Sequence, residues 1–145
     1  MTHEAGATGQ RLIAWGDELV KLHEGFRRDL ADLRRTSRLG PGLREHCLTF
    51  CEALHAHHTG EDDVLFPHLD GLHPELAGVL TRLRSEHQVV GRILAQIRTL
   101  LDAGDPADLG VELDRLAGEL EAHLDYEEEQ LVPLLNEMID MPEDL

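Results

Sequence analysis

Apolar residues recur at steps of three and four along four stretches of the chain, the spacing that gathers them on one face of an α-helix. The first stretch carries Leu12, Trp15, Leu19, Leu22, Phe26, Leu30 and Leu33, and the second Leu43, Cys47, Phe50 and Leu54. The third runs Leu76, Leu80, Leu83, Val90, Leu94, Ile97 and Leu101, and the fourth Leu113, Leu116, Leu120, Leu131 and Leu134. The alternation expected of a half-buried strand is absent.

Glycine and proline separate these stretches. Leu39-Gly40-Pro41-Gly42 divides the first from the second, Pro67 through Pro74 the second from the third, and Ala103-Gly104-Asp105-Pro106 the third from the fourth. In the last break Gly104 suits a helix C-cap, Asp105 an N-cap and Pro106 the first helical position. Pro133 is expected to end or kink the last helix. The punctuation thus predicts helices over roughly 9–37, 42–66, 74–102 and 107–138. Short connections between long helices make neighbours antiparallel, so the fold class is all-α, an up-down-up-down antiparallel four-helix bundle. The whole chain, 1–145, reads as a single domain.

Composition supports this reading. Hydrophobic residues make up 41% of the chain but aromatics only 3%, so the core is built mostly from Leu, Val, Ile and Ala. The net charge of −16 repels phosphate backbones and anionic lipid, which argues against nucleic acid and membrane surfaces as partners. No apolar run approaches the ~20 residues that span a bilayer. Met1 to Gln10 lacks the basic-then-apolar pattern of a signal peptide. Cys47 and Cys51 lie four apart in a helical stretch, which fits reduced thiols and a cytoplasmic location.

The chemistry lies where the apolar stripes are interrupted. The third stripe skips position 87, which is His87. The fourth skips 123 and 127, which are His123 and Glu127, and the second continues into His57 and Glu61. In the first stripe His23 lies between Leu19 and Phe26 on the same face. Two helices thus carry a His followed four residues later by a Glu, and such pairs share one face about 6 Å apart along the axis. Buried unpaired carboxylates are costly and become neutral, whereas cations among them relieve that cost. Iron accepts imidazole and carboxylate together, and a carboxylate spans two ions ~3.5–4 Å apart. The pattern points to a non-haem di-iron centre with His23, His57, Glu61, His87, His123 and Glu127 as metal ligands.

These residues resemble the hemerythrin-like, or HHE cation-binding, domain family. The strings His57-His58-Thr59-Gly60-Glu61-Asp62-Asp63-Val64-Leu65-Phe66-Pro67 and His123-Leu124-Asp125-Tyr126-Glu127-Glu128-Glu129-Gln130-Leu131-Val132-Pro133 both hold His-x-x-x-Glu with a Pro ten residues after the His. His23 looks like the family's first-helix ligand, and His87, in Glu86-His87, like its third-helix ligand. The resemblance implies two iron ions joined by an oxo or hydroxo group and bridged by Glu61 and Glu127. It implies His23 and His57 as terminal ligands on one iron, and His87 and His123 on the other. Acidic neighbours at 62 and 128 are the alternatives to 61 and 127, and the core period favours the latter pair.

The oxygen-carrying members have a further His one turn after the third-helix ligand, and here that position is Gly91. His58, Asp62 and Tyr126 are the candidates to replace it, as extra ligands or as residues that support one. Each is rotated ~100° from the motif ligand beside it, which favours the supporting role. Without a fifth His both irons would be open. The resemblance then implies reaction with O2 or peroxide, catalase-like or peroxidase-like, making the chain a di-iron oxidoreductase. Two alternatives stand beside it: binding or sensing of O2, NO or iron without turnover, and an O2-activating oxidase acting on a small organic substrate. The ferritin-like pattern needs Glu-x-x-His on two helices. This chain has it once, from Glu52 to His55.

Overall fold

The computed structural model describes residues 15–36, 42–104 and 106–138. The helices are α1 (Trp15–Thr36), α2 (Gly42–Gly60), α3 (Phe66–Leu72), α4 (Ala77–Ala103) and α5 (Pro106–Glu137). A π-helical turn, Glu61–Leu65, joins α2 to α3 without a break, and a 3-10 turn, Pro74–Leu76, precedes α4. Four rods result, since α2, the π turn and α3 form one. Position 9–14 of the expected first helix and the Leu39-Gly40-Pro41 break lie outside the described residues. Among those described there is no strand.

The rods form a square. α1 packs on α2 and α5, and α4 packs on the same two helices. Antiparallel order follows from which residues meet. One core cluster joins the C-terminal half of α1 (Phe26, Leu30, Leu33), the first half of α2 (Cys47, Phe50, Leu54), the C-terminal half of α4 (Val90, Ile97) and the first half of α5 (Leu113, Leu120). A second cluster joins Leu65, Phe66, Leu69, Leu80, Leu83, Leu131 and Leu135. Each fully buried Leu contributes roughly 1.5–3 kcal/mol of transfer free energy.

One proline acts differently from expectation. The second rod does not stop near residue 66; it continues through Pro67 to Leu72. The π turn explains this. Phe66 N–H donates to the Glu61 carbonyl, five residues back. The wider turn absorbs about one residue's ~100° of rotation, so Phe66 and Leu69 face the core together with Glu61. Pro67 has no N–H to give the Asp62 carbonyl. That carbonyl instead accepts from Arg84 Nη2 at 3.5 Å, from the neighbouring α4. α5 runs through Pro133 to Glu137, close to the expected end of the last helix. Gly104 does serve as the C-cap of α4, its N–H donating to the Leu100 carbonyl at 2.8 Å. One stripe residue departs from the core: Leu22 is exposed, and His23 beside it is fully buried.

The two apolar clusters do not merge. On every rod the residues between them are His or Glu: His23 on α1, His57, His58 and Glu61 on the second rod, His87 on α4, and His123 and Glu127 on α5. A single polar layer crosses the middle of the bundle.

Candidate metal centre

Within this layer the side chains fall into two groups that share Glu61. One ligand atom each from His23, His57, Glu61 and Glu127 lie within 4.8 Å of one another, and so do those from His58, Glu61, His87 and His123. The carboxylates sit between the groups. Glu61 offers Oε2 to His57 Nε2 and Oε1 to His87 Nε2, both at 3.2 Å. Glu127 Oε1 is 3.4 Å from His123 Nε2 and 3.9 Å from His23 Nε2. Each Glu therefore faces one imidazole of either group.

All five Nε2 atoms and all four carboxylate oxygens of this layer are buried without a hydrogen-bond partner. Leaving one such group unsatisfied costs roughly 1–3 kcal/mol, more if charged. Aiming nine at one place is reasonable only if something accepts their lone pairs. The donor set is the one expected for a transition metal: neutral imidazoles with carboxylates, no thiols. Cys47 and Cys51 are reduced and buried in the first core cluster, away from the layer.

The outward edges of three imidazoles fix their orientation. His23 Nδ1 donates to Glu128 Oε2 at 2.7 Å, His87 Nδ1 to Asp62 Oδ1 at 2.8 Å, and His123 Nδ1 to Glu86 Oε1 at 2.8 Å. A carboxylate only accepts, so the Nδ1 of each ring carries the proton and Nε2 keeps its lone pair. This carboxylate–histidine pairing orients imidazoles toward metals and raises their basicity. Arginines hold two of the carboxylates in turn: Arg27 Nη1 reaches Glu128 at 3.0 Å, and Arg82 Nε reaches Glu86 at 2.9 Å.

Burial dominates the electrostatics. It lowers the pKa of His23 and His123 below the ordinary imidazole value, against the raising effect of Glu128 and Glu86. It drives His58 further down, and the adjacent His87 acts the same way. Neutral rings result, the protonation state that metals require. Burial also pushes the Glu127 carboxyl well up, reinforced by the nearby Glu61 charge. For Glu61 burial works against the charge, but the adjacent Glu127 carboxyl and the field of His57 hold it well below the carboxylate range. Without a cation, the two carboxyls thus do not both stay charged.

The six residues singled out from the stripes all lie in this layer. His58 joins them: it is 4% exposed, its Nε2 points inward, and its ring stacks on His87. A second signal for it was present, because 47, 51, 54, 58, 61 and 65 also step by three and four, and Cys51 and Leu65 are buried. Asp62 faces His87 from outside. Tyr126 lies apart from both groups, packed on the second core cluster beneath the Arg82 guanidinium, 3.7 Å from its ring centre. At Gly91 an added Cβ would meet nothing within 4 Å. The fifth inward imidazole comes from the second rod, not from α4.

A four-helix bundle with a buried layer of imidazoles and carboxylates is a metal-binding bundle. The profile of the hemerythrin HHE cation-binding domain matches residues 16–135. The chain belongs to that family, and metal binding, typically of iron, comes with it. Comparison with curated proteins and with solved structures found no match.

Proposed function

We propose that the chain holds two iron ions and reacts with a small ligand, O2, peroxide or NO, at one of them. The reading rests on the two donor groups that share Glu61. His23 and His57 would serve one ion, His58, His87 and His123 the other, with Glu61 and Glu127 between. An iron pair so held supplies reversible electron storage and a binding position for a diatomic or peroxide.

The donor sets are unequal, two imidazoles against three. With the carboxylates common to both, the His23–His57 side is one donor short, and a small ligand would complete it there. This revises the expectation of two open irons, which assumed no fifth His. Catalase-like or peroxidase-like turnover would then run through one open position. Phe26, its ring 5.5 Å from that of His57, gives this side an apolar wall. Two grooves between helices among the described residues, one lined by Leu30, Ala31 and Gly118 and the other by Val89, Ile93 and Gln96, contain none of the seven inward residues, so neither of these supports an oxidase acting on an organic substrate.

The test is anaerobic loading with ferrous iron, metal analysis, then exposure to O2, peroxide and NO under optical observation. Two irons per chain and a ligand-dependent visible spectrum are expected. A chain that retains no iron, or an iron-loaded chain whose spectrum responds to none of the three, would overturn the reading.

A further inference from the structure

Outside the polar layer, one charged group stands out by its surroundings. The Arg27 guanidinium touches four carboxylates: Glu24 Oε2 at 3.2 Å, Glu121 Oε2 at 3.0 Å, Asp125 Oδ1 at 3.1 Å and Glu128 Oε2 at 3.0 Å. Its side chain is only 18% exposed. Three of the four partners are on α5 and Arg27 is on α1, so the cluster bridges two rods. Glu128 is the innermost of them, 20% exposed against 53–65% for the rest.

The contact with Glu128 differs in kind from the other arginine contact of this sort. Glu128 Oε2 accepts from both His23 Nδ1 and Arg27 Nη1. On the far side of the layer, His123 uses Glu86 Oε1 while Arg82 uses Glu86 Oε2. A cation on the very oxygen that accepts the imidazole proton drains that oxygen's electron density. It restrains how far Glu128 can enrich His23. Arg82 is also 58% exposed and anchored by one carboxylate, so its charge is better screened by solvent.

We infer that Arg27 is a positioning residue for the His23 side of the centre: through Glu128 it fixes the His23 ring and limits its donor strength. The inference rests on the proposed iron site. Arg suits the task because its planar fork carries five N–H donors in a fixed geometry, against three on a lysine ammonium. Removing the cation would leave Glu128 a stronger acceptor and His23 a richer donor, and would take a positive charge away from the metal side. Both effects favour the oxidised metal, so the midpoint potential falls.

The control is built into the fold. Arg34, one heptad along α1, bridges to Asp114 on α5 at 3.0 Å, one heptad before Glu121. It ties the same two rods together eleven residues along α1 from His23, roughly 16 Å away along the helix axis. We would compare Arg27→Gln, Arg27→Lys and Arg34→Gln in the iron-loaded protein by potentiometric titration, and the metal-stripped forms by melting. Both Gln variants should melt below the parent. A downward shift in midpoint potential is expected for Arg27→Gln, a smaller one for Arg27→Lys, and none for Arg34→Gln. If Arg27→Gln loads poorly, Arg27→Lys carries the comparison. Equal potentials in the parent and the Arg27 variants, or an equal shift in Arg34→Gln, would reduce Arg27 to a structural clamp and overturn the inference. A parent chain that takes up no iron would instead remove the proposed function, and this inference with it.

Discussion

The imidazole of His58 lies flat against that of His87, with ring centres 3.8 Å apart and planes 12° from parallel. His58 comes from the second rod and His87 from α4, so this contact closes the three-histidine side of the layer. Phe66 also stacks on His87, at 5.6 Å and 16°. A ring stacked against two others has little freedom to turn, and its Nε2 stays aimed inward. His58→Leu keeps the volume and removes the donor. If the chain holds two irons as proposed, we expect the variant to fold and to lose affinity for one of them by more than the roughly 10–100-fold typical of losing a ligand's hydrogen-bond partner. Iron content after gel filtration should drop from two toward one per chain. Retention of both irons at parental affinity would exclude His58 from the ligand set.

The carboxylates behind His87 and His123 give a second expectation. Asp62→Asn and Glu86→Gln preserve shape but remove the charge that accepts Nδ1–H. Affinity should fall about 10–100-fold in each. Tyr126→Phe, which changes a residue apart from both groups, should leave affinity unchanged. Chelator competition with ferrous iron measures all three. A large loss in Tyr126→Phe would show that the tyrosine takes part after all.

The sequence carried the four rods and the inward His-x-x-x-Glu pairs because a buried layer must interrupt an apolar stripe at the helical period. His57 and His58 were harder to separate. Neighbours on a helix differ by ~100°, which forces a choice between them where only one narrow stripe faces inward. In a four-helix interior two residues that straddle the stripe can both reach inward, and both do. The π turn left no trace in the period, since Pro67 looks like a helix break when its neighbours are assumed to be regular. Glu86 and Glu128 were visible only as acids beside ligands. That Glu128 serves His23 and Glu86 serves His123, across helix boundaries, depends on how the rods are staggered, which no single-helix pattern contains.

Gly16 marks a tight approach of α1 to α5. An added Cβ would lie 2.5 Å from both the Val132 carbonyl oxygen and Asn136 Oδ1. That Asn136 oxygen accepts the Asp17 N–H at 3.1 Å, and its amide reaches Asp17 Oδ1 at 3.3 Å. One of the two obstacles is backbone and cannot swing aside. Gly16→Ala gains helix propensity of ~1 kcal/mol, but the clash should outweigh it. We expect a net destabilisation of about 1–3 kcal/mol, the usual range for overpacking. Urea unfolding of the metal-stripped protein reads it directly. A variant as stable as the parent would mean that α1 can slide on α5 at no cost.

The same metal-stripped protein should lose stability as it is acidified, and His58 provides a way to isolate the cause. Its folded pKa is depressed, chiefly by burial and then by His87, while in the unfolded chain it returns to ~6.5. Below that value the unfolded chain binds a proton that the folded chain refuses. Stability is therefore fully present above ~6.5 and falls as the pH drops, by up to about 1.4 kcal/mol per unit for each such group. His23 and His123 act in the same direction. Glu127, whose folded pKa is raised, acts in the opposite one, so the net slope of the parent mixes several groups. The difference between parent and His58→Leu removes the mixture. Between pH 6.5 and 5 the parent should lose up to about 1.4 kcal/mol per unit more than the variant in urea unfolding. Parallel curves would mean that His58 is already protonated in the metal-free fold, and that it does not bring a free lone pair to the centre.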